Sequence, residues 1–109
     1  MRRVLPLPFP TEPLVVSAKD LGQAIRAART GSGLTIEDAA LLVGVAKQTL
    51  SDVEQGKPTV AFGTVIKLAT ALGVSLFMAE KRNQERVRRG LTELVDALEH
   101  ERAKQPSAD

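Results

Sequence analysis

From Leu21 onward, apolar residues recur at helical spacing. Leu21, Ile25 and Ala28 share one face of a first helix, with Arg26 and Arg29 on its other side as surface charge. Ser17 is a candidate N-cap, and the Thr-Gly-Ser-Gly run at 30–33 is the stop. A second short helix starts from Thr35 as N-cap. Glu37 and Asp38 then fall in its first turn, where carboxylates favour the positive end of the helix dipole. Ala39, Ala40, Leu42 and Val43 form its buried side, and Gly44 ends it. A third helix spans about 46–54 and carries only two core-type residues, Leu50 and Val53. After a loop at 55–60, a fourth helix over about 61–72 buries Val65, Leu68, Ala69 and Leu72. Two short apolar segments fit strands: 14–18, which is β-branched at Val15 and Val16, and 74–79, which contains Val74 and Phe77. Helical spacing returns from 80 to about 104, where Val87, Leu91, Leu94 and Leu98 form a heptad seam. Residues 1–13 hold four of the six prolines, which fix φ and remove donors, so they read as an extended, flexible arm.

Composition narrows the picture. A length of 109 residues suits one domain plus an arm or tail, and so small a core favours oligomerisation. Aromatics are 3% of the chain, with no Trp or Tyr, so the core is aliphatic and best built from packed helices. The absence of Cys excludes disulfides and thiolate metal sites. His100 sits in a charged stretch and reads as solvated, not as a ligand or base. No Gly-rich phosphate loop is present, and the neighbouring Glu37 and Asp38 point to different sides of a helix. Catalysis, metals and cofactors are therefore not expected. No apolar run spans a membrane. The opening MRRVLPLPFP is broken by prolines and reads as an arm, not a signal peptide, which leaves the cytoplasm as the default location. The net charge of +2 permits nucleic-acid binding without demanding it.

The stretch from Gly44 to Pro58 carries the chemistry. Two short helices joined by a tight Gly-containing turn outline a helix-turn-helix. Close packing of the two needs a small residue, supplied by Ala40, and the turn needs one that tolerates positive φ, supplied by Gly44. Val45 plugs the space between the helices, while Leu50 and Val53 anchor the third. Lys47, Gln48, Ser51, Asp52 and Gln55 are left pointing outward. They are short or flexible and carry both donors and acceptors, the inventory a helix needs to meet base edges in a major groove.

From Leu21 to Leu76 the chain resembles the Cro/C1-type (Xre-like) helix-turn-helix family, on Thr35, Glu37, Ala40, Gly44, Val45, Thr49, Leu50, Ser51, Val53, Glu54 and Gly56. The resemblance implies an all-α fold: a compact four- or five-helix, lambda-repressor-like bundle with short flanking strands and a C-terminal helix. It also implies binding of operator DNA as a homodimer. Carried over by motif position, Lys47, Gln48, Ser51 and Asp52 are the base-reading set. Thr35, Thr49, Gln55, Lys57 and Thr59 meet the DNA backbone. Residues 56–76 are similar to HipB-like antitoxins, in which a strand after the fourth helix pairs across the dimer, a role 74–79 could take. Two positions depart from the family: Ile36 replaces a usual Gln that touches the DNA backbone, and Ala46 replaces a usual Ser or Thr cap, at a cost of roughly 1 kcal/mol. Glu54 is expected to bond within the protein.

The organisation expected is an arm at 1–13, a DNA-binding domain at 14–79, a C-terminal helix at 80–104 and a tail at 105–109. The seam of Val87, Leu91, Leu94 and Leu98 is assigned to dimerisation, with docking on the subunit's own core as the alternative. Arg82, Arg86, Arg88 and Arg89 read as a solvated face with (i, i+4) pairs. The arm reads as an extension, with a minor-groove role for Arg2 and Arg3 as the alternative. The expected function is an autoregulatory repressor. The alternatives are an antitoxin that binds a toxin through its arm or C-terminal helix, and a scaffold that has lost DNA binding, as Ile36 and Ala46 would favour.

Overall fold

The computed structural model of the chain describes residues 3–104. Arg2 and the tail at 105–109 lie outside the described residues. Five α-helices follow in order: α1 (Ala18–Gly31), α2 (Ile36–Val43), α3 (Lys47–Glu54), α4 (Phe62–Ala71) and α5 (Gln84–Lys104), the last preceded by a 3-10 turn at Lys81–Asn83. The residues group into two units: those up to Pro10 with Val15–Leu76, and Thr11–Leu14 with those from Phe77 onward.

In the first unit, α1 starts at a reciprocal cap. The Ser17 hydroxyl accepts from the Asp20 backbone N–H, while the Asp20 carboxylate accepts from the backbone N–H groups of Val16 (2.9 Å) and Ser17 (3.1 Å). Those bonds, Val16 first, lower the Asp20 pKa below its ordinary value. The core is aliphatic. Ile25, Leu50 and Leu68 are fully enclosed, and alanines 24, 39, 40 and 69 let the helices approach closely. The tightest approach is at Gly22, where an added Cβ would collide with the Val53 carbonyl oxygen, so a side chain on α1 there would force α3 away.

Four expectations need correction. No strand forms at 14–18 or 74–79; among the described residues there is none at all. A strand needs a second edge for its N–H and C=O groups. Within this chain Leu76, Phe77 and Met78 stay exposed, Met78 at 96%. Leu42, expected in the core, is exposed, as is Leu41, because α2 turns only Ala39, Ala40 and Val43 inward. Arg29, expected as surface charge, is buried. The proline arm, expected as a flexible extension, is extended but fastened: the Leu7 N–H donates to the Thr30 hydroxyl oxygen at 3.0 Å.

In the second unit, α5 has no buried residue. Val87, Leu94 and Leu98 are exposed and Leu91 is half-buried. Local ion pairs support the helix. Glu85 pairs with Arg88 at 2.7 Å and more distantly with Arg89, and Arg88 also reaches Glu12 at 3.3 Å. Glu85 in the first turn and Arg102 and Lys104 in the last complement the helix dipole. Among the described residues no helix is long and apolar enough to cross a membrane.

Candidate nucleic-acid interface

Helix α2 begins where Thr35 caps it, its hydroxyl accepting from the Asp38 N–H at 3.1 Å. It ends at Gly44, whose φ of 82° lies in the left-handed region; a side chain there would strain the turn. The N–H groups of Gly44 and Val45 both return to the Ala40 carbonyl, at 2.9 and 3.0 Å, and this sharp turn redirects the chain into α3. Ala46 stands at the N-cap of α3 and offers no side-chain bond.

Two devices fix the orientation of α3. Its apolar side, Leu50 and Val53, is buried against the core. Its last residue, Glu54, is held by Arg29 of α1 through a two-pronged ion pair: Nε to Oε2 at 2.6 Å and Nη2 to Oε1 at 3.0 Å. Arg29 also donates to the Leu34 carbonyl at 2.7 Å. With side chains only 8% and 5% exposed, this pair is sheltered from water, and both charges are satisfied. Glu54 thus bonds inside the protein. The pairing of Arg29 was missed in the sequence, yet a signal existed: Arg29 lies four residues after Ile25, hence on the buried face of α1.

With one side of α3 fixed, the other stands clear. Lys47 and Gln48 are exposed, and Ser51, Asp52 and Thr49 are half-exposed on the same helix. These groups are linked to one another. Gln48 donates to the Asp52 carboxylate at 2.9 Å, Lys57 reaches the same oxygen at 3.0 Å, and Gln55 donates to the Ser51 hydroxyl at 3.0 Å. Lys47 pairs with Glu37 across the turn at 2.7 Å. The hydrogen bond from Gln48, then that from Lys57, holds the Asp52 carboxyl below its ordinary pKa, so the ridge keeps one fixed negative charge between its cations. Thr59 is exposed in the loop that follows. Lys47, Gln48, Ser51 and Asp52 therefore sit together, with Lys57 beside them, and Thr35 lies at the start of α2.

Such a ridge suits a groove about 12 Å wide: an α-helix of matching diameter, without bulky side chains, carrying amide, hydroxyl and carboxylate groups between two lysines. Each lysine already faces a carboxylate, so a polyanion would have to draw Lys47 from Glu37 and Lys57 from Asp52.

A helix-turn-helix family model matches residues 25–77. Among solved structures, HipB in a complex with an O4 20mer is 22% identical, covering 62% of this chain and 96% of that one, with a TM-score of 0.56. A HipA–HipB–O2–O3 complex matches with the same identity, coverage and score. The restriction-modification controller protein C.AhdI from Aeromonas hydrophila is 36% identical over 53% of this chain and 88% of its own, with a TM-score of 0.47. No relative was found among curated proteins.

Proposed function

We propose that this chain, whose residues 25–77 match a helix-turn-helix family model, is a Cro/C1-type, sequence-specific DNA-binding transcriptional regulator acting as a homodimer. One observation carries the proposal: α3 spends its apolar side on the core and presents a ridge of base-compatible polar groups outward. Lys47, Gln48, Ser51 and Asp52 read base edges. Gln48 suits adenine or guanine, Lys47 guanine or phosphate, and Asp52 accepts from cytosine. Thr35, Thr49, Gln55, Lys57 and Thr59 set register on the backbone.

Two copies, joined through the α5 seam and the exposed 74–79 segment, would set two ridges about 34 Å apart in successive major grooves. Occupancy then blocks transcription sterically, most simply at the protein's own promoter. The chemistry is binding, not catalysis, and the site of action is the cytoplasm. Selection of bound sequences from a random duplex pool at stated salt, read with the mass in solution, tests this. A two-fold consensus bound by a dimer is expected. Binding without sequence preference, or recovery of no duplex, removes the reading.

A second reading, an antitoxin that neutralises a toxin and represses its operon, draws on one specific observation: the similar HipB is found in complex with HipA. Co-purification with the product of a neighbouring gene would separate the two.

A further inference from the structure

The N-terminal arm runs to the edge of the candidate interface. Proline at positions 6, 8 and 10 stiffens it. Its middle is fastened where the Leu7 N–H donates to the Thr30 hydroxyl oxygen. That hydroxyl is itself set by donating to the Ala27 carbonyl at 3.1 Å, on a residue only 6% exposed. The anchoring oxygen is therefore itself held in position. Three to four extended residues upstream reach about 10–13 Å. There, Arg3 and Val4 line a cleft of about 400 Å³ together with Thr35, Ile36, Glu37 and Lys47.

The charges at that cleft leave a gap that Arg3 fits. Arg29 also borders it, but its guanidinium is committed to Glu54 and the Leu34 carbonyl. The Ile36 side chain has no donor to offer. Lys47 is shared with Glu37. Arg3 is exposed, beside two members of the proposed interface, Thr35 and Lys47. A guanidinium grips a phosphate with two parallel N–H bonds and keeps its charge at any working pH.

We propose that Arg3, held in place by the Leu7–Thr30 strap, binds a phosphate of the DNA backbone and extends the interface beyond the helix-turn-helix. This rests on the DNA-binding reading, and the experiment separates the two. Affinity is measured by fluorescence anisotropy over a salt series, on a selected duplex and a random one, for the wild type, R3A, R3K and T30V.

R3A is expected to bind both duplexes about 3–10-fold more weakly at low salt. Its slope of log affinity against log salt should be shallower by about 0.9, one phosphate contact's worth. R3K should fall between R3A and the wild type. T30V, which frees the arm but keeps the cation, should lose about 2–3-fold, and R3A should add less in that background than alone, the mark of coupling. Wild-type affinity and slope in R3A overturn the proposal, and so does a loss confined to the selected duplex, which would mean base reading. Because Arg3 is exposed, R3A decides the matter even if T30V folds poorly. A wild type that binds no duplex removes the DNA-binding reading itself, before any variant is made.

Discussion

Helices α3 and α5 present opposite surfaces. The first is eight residues long, buries Leu50 and Val53, and turns a polar, internally bonded flank outward. The second is 21 residues long, has no buried residue, and turns out Val87, Leu94 and Leu98. A polar flank is stable in water as it stands and can exchange its internal bonds for those of a polar ligand. An aliphatic seam gains only by covering itself. The difference accords with the partners proposed for each: a hydrogen-bonding polymer for α3, an apolar surface such as a second copy for α5. Their supports also differ. α3 is fixed by long-range packing and a buried ion pair, α5 by exposed pairs along its own length and one from Arg88 to Glu12.

The first way to break that comparison is to remove what fixes α3. Glu54→Ala leaves the Arg29 guanidinium buried without its counter-charge, and a loss of about 3–5 kcal/mol is expected by denaturant unfolding. Replacing both partners with apolar residues of similar size should cost much less, because no charge is then stranded. A small effect of Glu54→Ala alone would mean that α3 is held by Leu50 and Val53 without the ion pair.

The next expected effect is on α5. Leu94→Glu or Leu98→Glu buries an unpaired charge in any interface the seam makes. The dimer dissociation constant should rise roughly 100-fold or more, with helix content and unfolding of the first unit unchanged. Sedimentation equilibrium decides it. A variant that stays dimeric at the same concentration assigns self-association to another surface.

Much of this architecture was legible because local rules and tertiary structure agree. Ser17, Thr35 and Gly44 cap and stop their helices as their chemistry predicts, and Leu50 and Val53 go inward at their spacing. What escaped was non-local. The burial of Arg29 depends on Glu54, 25 residues away, and composition alone reads an arginine as surface. Leu42 reads as core beside Val43 because the two adjoin in an apolar run, yet Ala39, Ala40 and Val43 already complete the inward face at helical spacing. The segments at 14–18 and 74–79 have strand-like composition, but pairing depends on a partner edge that no single sequence specifies. The arm's fastening to Thr30 leaves no pattern in the sequence, since one backbone N–H made it. The outward ridge at 47, 48, 51 and 52 followed from spacing; the bonds among its members and to Lys57 did not.

Those bonds make finer tests of α3. Gln48→Ala should lower discrimination between selected and altered duplexes by about 1–3 kcal/mol while sparing affinity for random duplex. Lys57→Ala should weaken both alike and flatten the salt slope by about 0.9. Equal losses on both duplexes from Gln48→Ala, or a loss from Lys57→Ala confined to the selected duplex, would contradict a division between reading and register on this helix.

The smallest expected effect is a titration. A carboxyl whose pKa is lower folded than unfolded contributes stability above its unfolded pKa, and that contribution is lost as pH falls through the folded value. Asp52 is such a group: the hydrogen bond from Gln48 is the largest single cause, Lys57 adds both a hydrogen bond and its charge, and the midpoint, followed by carboxyl carbon chemical shift, should lie below 3.8. Gln48→Ala and Lys57→Ala should each move that midpoint back toward 3.8. Acid should therefore loosen the α3 ridge only below the usual aspartate range, after unpaired carboxylates have taken up protons. A midpoint in the ordinary range, unmoved by either substitution, would mean that the ridge is not pre-arranged in solution. Its members would then find their geometry only on a partner, and α3 would differ from α5 less in organisation than in chemistry alone.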